Sequence, residues 1–213
     1  MQKGGIIMCC RFYVDPSPEL LPVIEQANRS PLRDRMVSAL GAPFISSGEV
    51  FPGEIAPVIA SSRSGSRAAF PMYWGYHVPG LRSPVLNART ETAPQKKTFQ
   101  ESWASRRCVI PASRYFEWEH VPAGNGRKKP GRKFSIRPTG LDQTYLAGLY
   151  RMENGFPVFV VLTREPADNL RFLHDRMPLI LPEDLIDEWI RPSANPDSLL
   201  PRALTDMQWE AAV

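Results

Sequence analysis

Apolar residues recur along this chain in short bursts, each broken by proline, glycine or a charged cluster. Residues 19–29 place Leu20, Leu21, Val23, Ile24 and Ala27 at helical spacing. Pro22 fits the first turn, where a missing N–H costs little, so a short amphipathic helix is expected. Residues 48–59 contain Phe51-Pro52-Gly53 and Ala56-Pro57 and read as extended and turn-broken. The aromatic-rich run AFPMYWGYHV, residues 69–78, reads as a strand. Residues 98–106 predict a helix ahead of a strand at 108–110, and strand resumes at 115–119 after a Pro-Ala-Ser break. Three successive strands are expected at 133–137, 144–152 and 157–163, then short helices at 167–173 and 183–190. Many short strands with a few helices and no βαβ rhythm argue an α+β fold. The expected architecture is a single domain with a mostly antiparallel, barrel-like β-sheet core and short peripheral helices.

Length agrees with this. A chain of 213 residues suits one well-packed domain, and an apolar share of 43% is ordinary for a globular protein. No apolar run approaches the roughly 18–20 residues that cross a bilayer. Residues 1–7 lack the charged start, long apolar stretch and cleavage site of a secretory signal, so a cytoplasmic setting is expected, with no membrane partner. Cys9, Cys10 and Cys108 make no disulfide framework, and adjacent Cys9 and Cys10 lack the spacing with which two thiolates grip zinc. No metal and no cofactor are expected. The formal charge of +4 is compatible with a polyanionic partner without specifying one. Residues 121–133, VPAGNGRKKPGRK, read as a basic loop: either a solvated one or a lip that touches phosphates.

The most informative segment is Met8-Cys9-Cys10-Arg11-Phe12. If Cys9 becomes the first residue, it carries an α-amine and a thiol on one carbon skeleton. An α-amine has a reference pKa of about 7.7–8.0, so a useful fraction is unprotonated at neutral pH, unlike a lysine amine at about 10.4. Such a 1,2-aminothiol condenses with an aldehyde and closes to a thiazolidine, which a mid-chain cysteine cannot do. Three readings stand for Cys9. Translation starts at Met8, with residues 1–7 a leader absent from the protein; or residues 1–7 are a leader removed by self-cleavage; or Cys9 is a buried structural thiol.

Further segments follow in order: Tyr73-Trp74-Gly75, Asn87-Ala88-Arg89-Thr90-Glu91, Arg107-Cys108-Val109-Ile110-Pro111-Ala112 leading into Tyr115-Phe116-Glu117-Trp118, and His174-Asp175-Arg176-Met177-Pro178. With the amino terminus, this ordered set resembles the SRAP family (SOS-response-associated peptidases, also called abasic site processing proteins), from Met8 to about Ile190. The resemblance implies one domain over residues 8–213. It also implies covalent capture of the ring-opened aldehyde of an abasic site in single-stranded DNA, within the DNA damage response. Motif by motif, Cys9 matches the nucleophile, and Asn87, Glu117 and His174 match the other catalytic positions. Arg89 matches a phosphate-contacting arginine and Trp74 an aromatic near the DNA path. Two departures stand out: Cys10 where the family usually has glycine, and Glu54 where it often has asparagine.

The residue chemistry suits these roles. His174 can exchange protons at neutral pH during sugar-ring opening, though a histidine tied to Asp175 is the alternative. Glu117, if buried among its aromatic neighbours, would shift toward neutrality and shuttle protons; otherwise it is an exposed strand residue. Asn87 can hold an amine or hydroxyl by hydrogen bonds. Arg89, Arg11, Arg176 and the basic loop are candidates for phosphate. Alternation along a strand exposes only one of Tyr73 and Trp74, and the resemblance favours Trp74 for stacking on bases. Two rivals remain: a thiol peptidase acting in trans through Cys9 and His174, and a non-catalytic single-strand-binding module. A monomer suffices for each.

Overall fold

The computed structural model of the chain describes residues 11–123 and 128–212, the side chain of Lys128 excepted. In chain order its elements are β1 (Arg11–Val14), α1 (Leu21–Asn28), α2 (Pro31–Leu40), β2 (Gly48–Val50), β3 (Ile55–Ser61), β4 (Arg67–Trp74), β5 (Asn87–Arg89), α3 (Gln100–Ser105), β6 (Arg107–Ala112), β7 (Arg114–Pro122) and β8 (Lys128–Pro138). There follow β9 (Thr144–Glu153), β10 (Phe156–Arg164), β11 (Met177–Pro178), β12 (Ile180–Leu181), α4 (Ile186–Ile190) and β13 (Met207–Ala211).

Five strands close into a barrel. β3 pairs antiparallel with β4 and β6, β6 with β9, and β9 with β10. A parallel pairing of β10 with β4, Val158 opposite Tyr73, completes the ring. Every residue of β3 except Ser61 is buried, and so is every residue of β6. Strands covered on both faces read as continuous apolar runs, which is why these segments show no alternation in sequence. Gly148 of β9 faces Cys108 of β6 and Val161 of β10. A Cβ there would lie 2.7 Å from Ile110 Cδ1 and 2.8 Å from the Val160 carbonyl oxygen, so only glycine admits this closeness.

A second sheet, ordered β13-β8-β7-β1-β2, is antiparallel throughout. One residue, Ser113, separates β6 from β7, so the chain passes directly from the barrel into this sheet. The mostly antiparallel, barrel-cored fold with short helices is the one that the strand-rich pattern leads one to expect.

Several details differ from the sequence expectations. Residues 167–173 form only a 3-10 turn at Asp168–Leu170, and 183–190 divide into a 3-10 turn and α4. The segment 121–133 is not one loop: β7 runs to Pro122 and β8 begins at Lys128, while residues 124–127 lie outside the described part. Helix α2 and strand β13 went unforeseen. α2 carries clear end signals: Ser30 Oγ accepts from Leu32 N–H, Pro31 opens the helix and Gly41 closes it at φ 63°. Its apolar stripe is thin, however, with Met36 its one buried residue.

Candidate active site

Strand β7 presents two faces. Phe116 and Trp118 point to one side, where Lys133 Nζ lies 3.9 Å and 5.6 Å from their ring centroids. Glu117, between them, turns to the other side and is only 3% exposed. Strict alternation would carry His120 onto the side of Phe116 and Trp118. Instead the ladder with β8 slips by one residue between Trp118 and His120, where Glu119 stands across from both Gly131 and Arg132. Such a bulge bends the pair and re-aims side chains. Next to this irregularity, a donor atom of His120 comes within 4.8 Å of one of Glu117.

The third member arrives from a distant part of the chain. His174 follows the 3-10 turn after β10, its N–H directed to the Leu170 carbonyl, and is 6% exposed. Its ring meets that of His120 at 65°, with centroids 4.5 Å apart. One donor atom from each of Glu117, His120 and His174 lies within 4.8 Å of the other two. His174 Nδ1 is 2.7 Å from Asp175 Oδ1 and 3.1 Å from the backbone nitrogen of Arg176. These contacts ask for opposite proton placements, since Nδ1 would donate to the first and accept from the second. In the neutral ring the Arg176 N–H donates to Nδ1, and Nε2 of the same ring is buried.

Arg176 locks this segment in place. Its guanidinium, in a residue 9% exposed, forms a fork on Glu91 with two 2.8 Å bonds and also donates to the Thr163 carbonyl at 2.7 Å. The same pairing holds the Glu91 carboxyl below the usual carboxylate range. It ties residues 87–91 to residues 174–178 across the end of β10. Asn87 starts β5 opposite Val161 and lines a groove of about 290 Å³ together with Val78, Val85, Arg89, Lys96 and Phe99. Arg89 is exposed and Ala88 buried, as alternation requires.

Arg11 opens β1 opposite Phe116, next to Glu117 on β7. Its guanidinium sits 4.4 Å from the Phe51 ring centroid and 4.9 Å from that of Trp118, and pairs with Glu49 at 3.2 Å. Lys133 binds the same carboxylate at 2.9 Å. Glu54 accepts from the Phe51 N–H at 2.7 Å and so closes the turn beneath this cluster.

Two of the expected DNA contacts are corrected. Trp74 is fully buried, tilted against Phe12 and stacked on Phe159, with Nε1 donating to the Leu86 carbonyl. Its faces are spent on packing inside the core, and no base can reach them. Arg176, expected at phosphate, donates to Glu91 and to the Thr163 carbonyl and so ties two segments together. Cys9 and Cys10 lie outside the described residues, as do residues 1–7, where a leader is expected. Sequence reading missed His120 because the expected strand ends at residue 119 and residues 121–133 read as a loop, leaving it in no element. The signal it lacked was Gly131, a glycine within a strand, which often marks a bulge.

Comparison with known proteins agrees in fold and family. The model of the SOS response associated peptidase (SRAP) family matches residues 8–212. The abasic site processing protein YoaM of Bacillus subtilis (strain 168) is 30% identical over 185 residues, covering 78% of this chain and 79% of that protein. The abasic site processing protein YoqW of the same organism is 30% identical over 173 residues, covering 73% of this chain and 75% of the relative. The crystal structure of a phage-related protein from Bordetella bronchiseptica superposes with a TM-score of 0.70 at 21% identity, covering 96% of this chain and 94% of the other.

Proposed function

The chain belongs to the SOS response associated peptidase (SRAP) family, and on that premise we propose that it processes abasic sites by trapping the opened sugar on Cys9. The observation that carries this reading is the meeting of Glu117 and His174 beside the strand that follows Cys9. Their donor atoms lie within 4.8 Å of each other, and Arg11 stands opposite Phe116, next to Glu117. A chain spans at most about 3.6 Å per residue, so the two steps from Arg11 to Cys9 cover no more than about 7 Å.

In this reading the partner is single-stranded DNA, and a monomer suffices. His174 moves the proton that opens the deoxyribose ring. The Cys9 amine adds to the aldehyde carbon, and water leaves as the imine forms, with Glu117 carrying protons between the nitrogen and the departing oxygen. Cys9 Sγ then bonds to the imine carbon while the thiol proton passes to nitrogen, giving the five-membered ring. The net change is loss of one water. Asn87 holds the amine or a sugar hydroxyl. The free amine arises by initiation at Met8 followed by excision of that methionine, or by self-cleavage of a longer leader ahead of Cys9; either route hydrolyses the Met8–Cys9 peptide bond and consumes one water. Arg89 and Lys96 along the groove beside Asn87 serve the phosphates. Phe51 and Trp118, brought together over Arg11, take the stacking role first given to Trp74.

The test uses the chain beginning at Cys9 and an oligonucleotide with one abasic site. A heat-stable, gel-shifted adduct is expected, lost in Cys9→Ala while non-covalent binding persists. Glu117→Gln and His174→Ala should slow adduct formation by tenfold or more, in line with the roughly 10²–10⁴ that acid–base groups contribute. Peptide turnover without an adduct would establish the thiol peptidase instead. A Cys9→Ala chain that behaves like the parent would leave only a binding module.

A further inference from the structure

The meeting of Glu117 with two histidines has a second chemical meaning. We infer that Glu117, His120 and His174 form a binding site for a divalent transition-metal ion of the zinc class, and that filling it halts the capture chemistry proposed above. The second half rests on that proposed function; the first does not.

Two imidazoles and one carboxylate make up a donor set that zinc favours when one position stays open to water. In a tetrahedral site with bonds of about 2.0–2.2 Å, neighbouring donor atoms stand about 3.4 Å apart. Here they lie within 4.8 Å of one another, so modest side-chain rotation of about 1 Å closes the shell. Glu117 and His174 are buried, whereas His120 is half-buried, so the site opens toward solvent on the His120 side. That opening supplies an entry path.

The surroundings also suit a metal ligand. A histidine that binds metal through one nitrogen usually donates its other N–H to a carboxylate, which fixes the tautomer and the ring. Asp175 Oδ1 stands 2.7 Å from His174 Nδ1, in place to take that N–H once an ion is held through Nε2. Glu117 Oε1 is 3.3 Å from the Trp118 N–H, which orients the carboxylate. His120 stands on the same strand as Glu117, beside the β7–β8 register shift, and supplies the third corner. A bound cation would occupy the lone pairs of Glu117 and His174 Nε2, and neither could then carry a proton to or from the sugar.

Zinc is the probe for the test, with the full chain and a chromophoric chelator as competitor. One equivalent should bind. His120→Ala should weaken affinity by about a hundredfold or more. Asp175→Asn should weaken it by about tenfold, the range seen when an outer carboxylate is removed. Circular dichroism and thermal melting establish that each variant is folded, and His120→Gln provides a second, larger replacement. Zinc affinity unchanged from the parent in both His120→Ala and His120→Gln, or binding that survives both and disappears on alkylation of Cys9 and Cys10, overturns the site. For the second half, the ratio of crosslinking rates without and with zinc is measured. It should fall toward one in His120→Ala and be reset by chelator in the parent. Zinc bound at this site with no change in that ratio overturns the inhibition. If no adduct forms under any condition, the proposed function fails while the binding measurement still decides the site.

Discussion

Replacing Arg107 tests how two helices are joined to the barrel. Arg107 is 1% exposed, and its hydrogen bonds among the described residues include no carboxylate. Its five N–H groups go to backbone carbonyls instead. Nε donates to Trp189 at 2.8 Å, Nη1 to Trp103 at 2.7 Å and Ala104 at 2.9 Å, and Nη2 to Arg191 and to Ala194 at 3.1 Å. Trp103 and Ala104 lie in the last turn of α3, and Trp189 and Arg191 at the end of α4. Those terminal carbonyls have no partner within their own helix and carry the negative end of its dipole. Burial pushes the guanidinium pKa down. Arg107→Met keeps the stem and removes all five donors. At about 1 kcal/mol net per bond, less the relief of no longer burying a charge, the loss is about 3–5 kcal/mol. For 213 residues, with unfolding entropy of about 2.1 cal/mol/K per residue, Tm should fall by about 7–11 °C. Arg107→Lys offers three donors from one nitrogen, which cannot span both helix ends, so it should fall between. Differential scanning calorimetry measures the series. An Arg107→Met melt within about 2 °C of the parent would refute the carbonyl-capping argument, and Lys behaving no better than Met would refute the donor count.

Three further outcomes are expected. Gly148→Ala drives a methyl into Ile110 Cδ1 and the Val160 carbonyl oxygen; a loss of about 1–3 kcal/mol should appear in urea unfolding, and an unchanged midpoint would mean that the barrel yields there. Glu91→Gln removes the charge beneath the Arg176 fork, at about 1 kcal/mol once the half-exposure of Glu91 is allowed for. Because the folded carboxyl is held low, its contribution is complete above the unfolded pKa of about 4.3 and disappears as pH falls through the folded value. The parent and variant stabilities should therefore converge in acid; a gap that widens there would reverse the sign. Cys108 is fully buried and its thiol is pushed well above the usual range. It should resist a thiol reagent in the native chain and react only after denaturation, and native labelling mapped to Cys108 by mass spectrometry would contradict that.

Local chemistry was open to reading from the residues alone. The thiol of Cys9, the acid–base side chains of Glu117 and His174, and a mostly antiparallel sheet with short helices all follow from residue type and from a spacing of two or about four. Such signals belong to a residue and its near neighbours. Trp74 lies beyond their reach: alternation leaves one of Tyr73 and Trp74 accessible without saying which, and only folding packs Phe12 and Phe159 against the Trp74 ring. Arg176 looked like a free cation until folding brought Glu91 against it. His120 comes beside Glu117 where the β7–β8 ladder slips opposite Gly131 and Arg132, a register that local spacing does not announce. Barrel closure by the parallel β10–β4 pair likewise joins segments with no sequence proximity. Burial, charge pairing and strand register depend on what the rest of the chain packs against a residue, and the tertiary structure alone decides them.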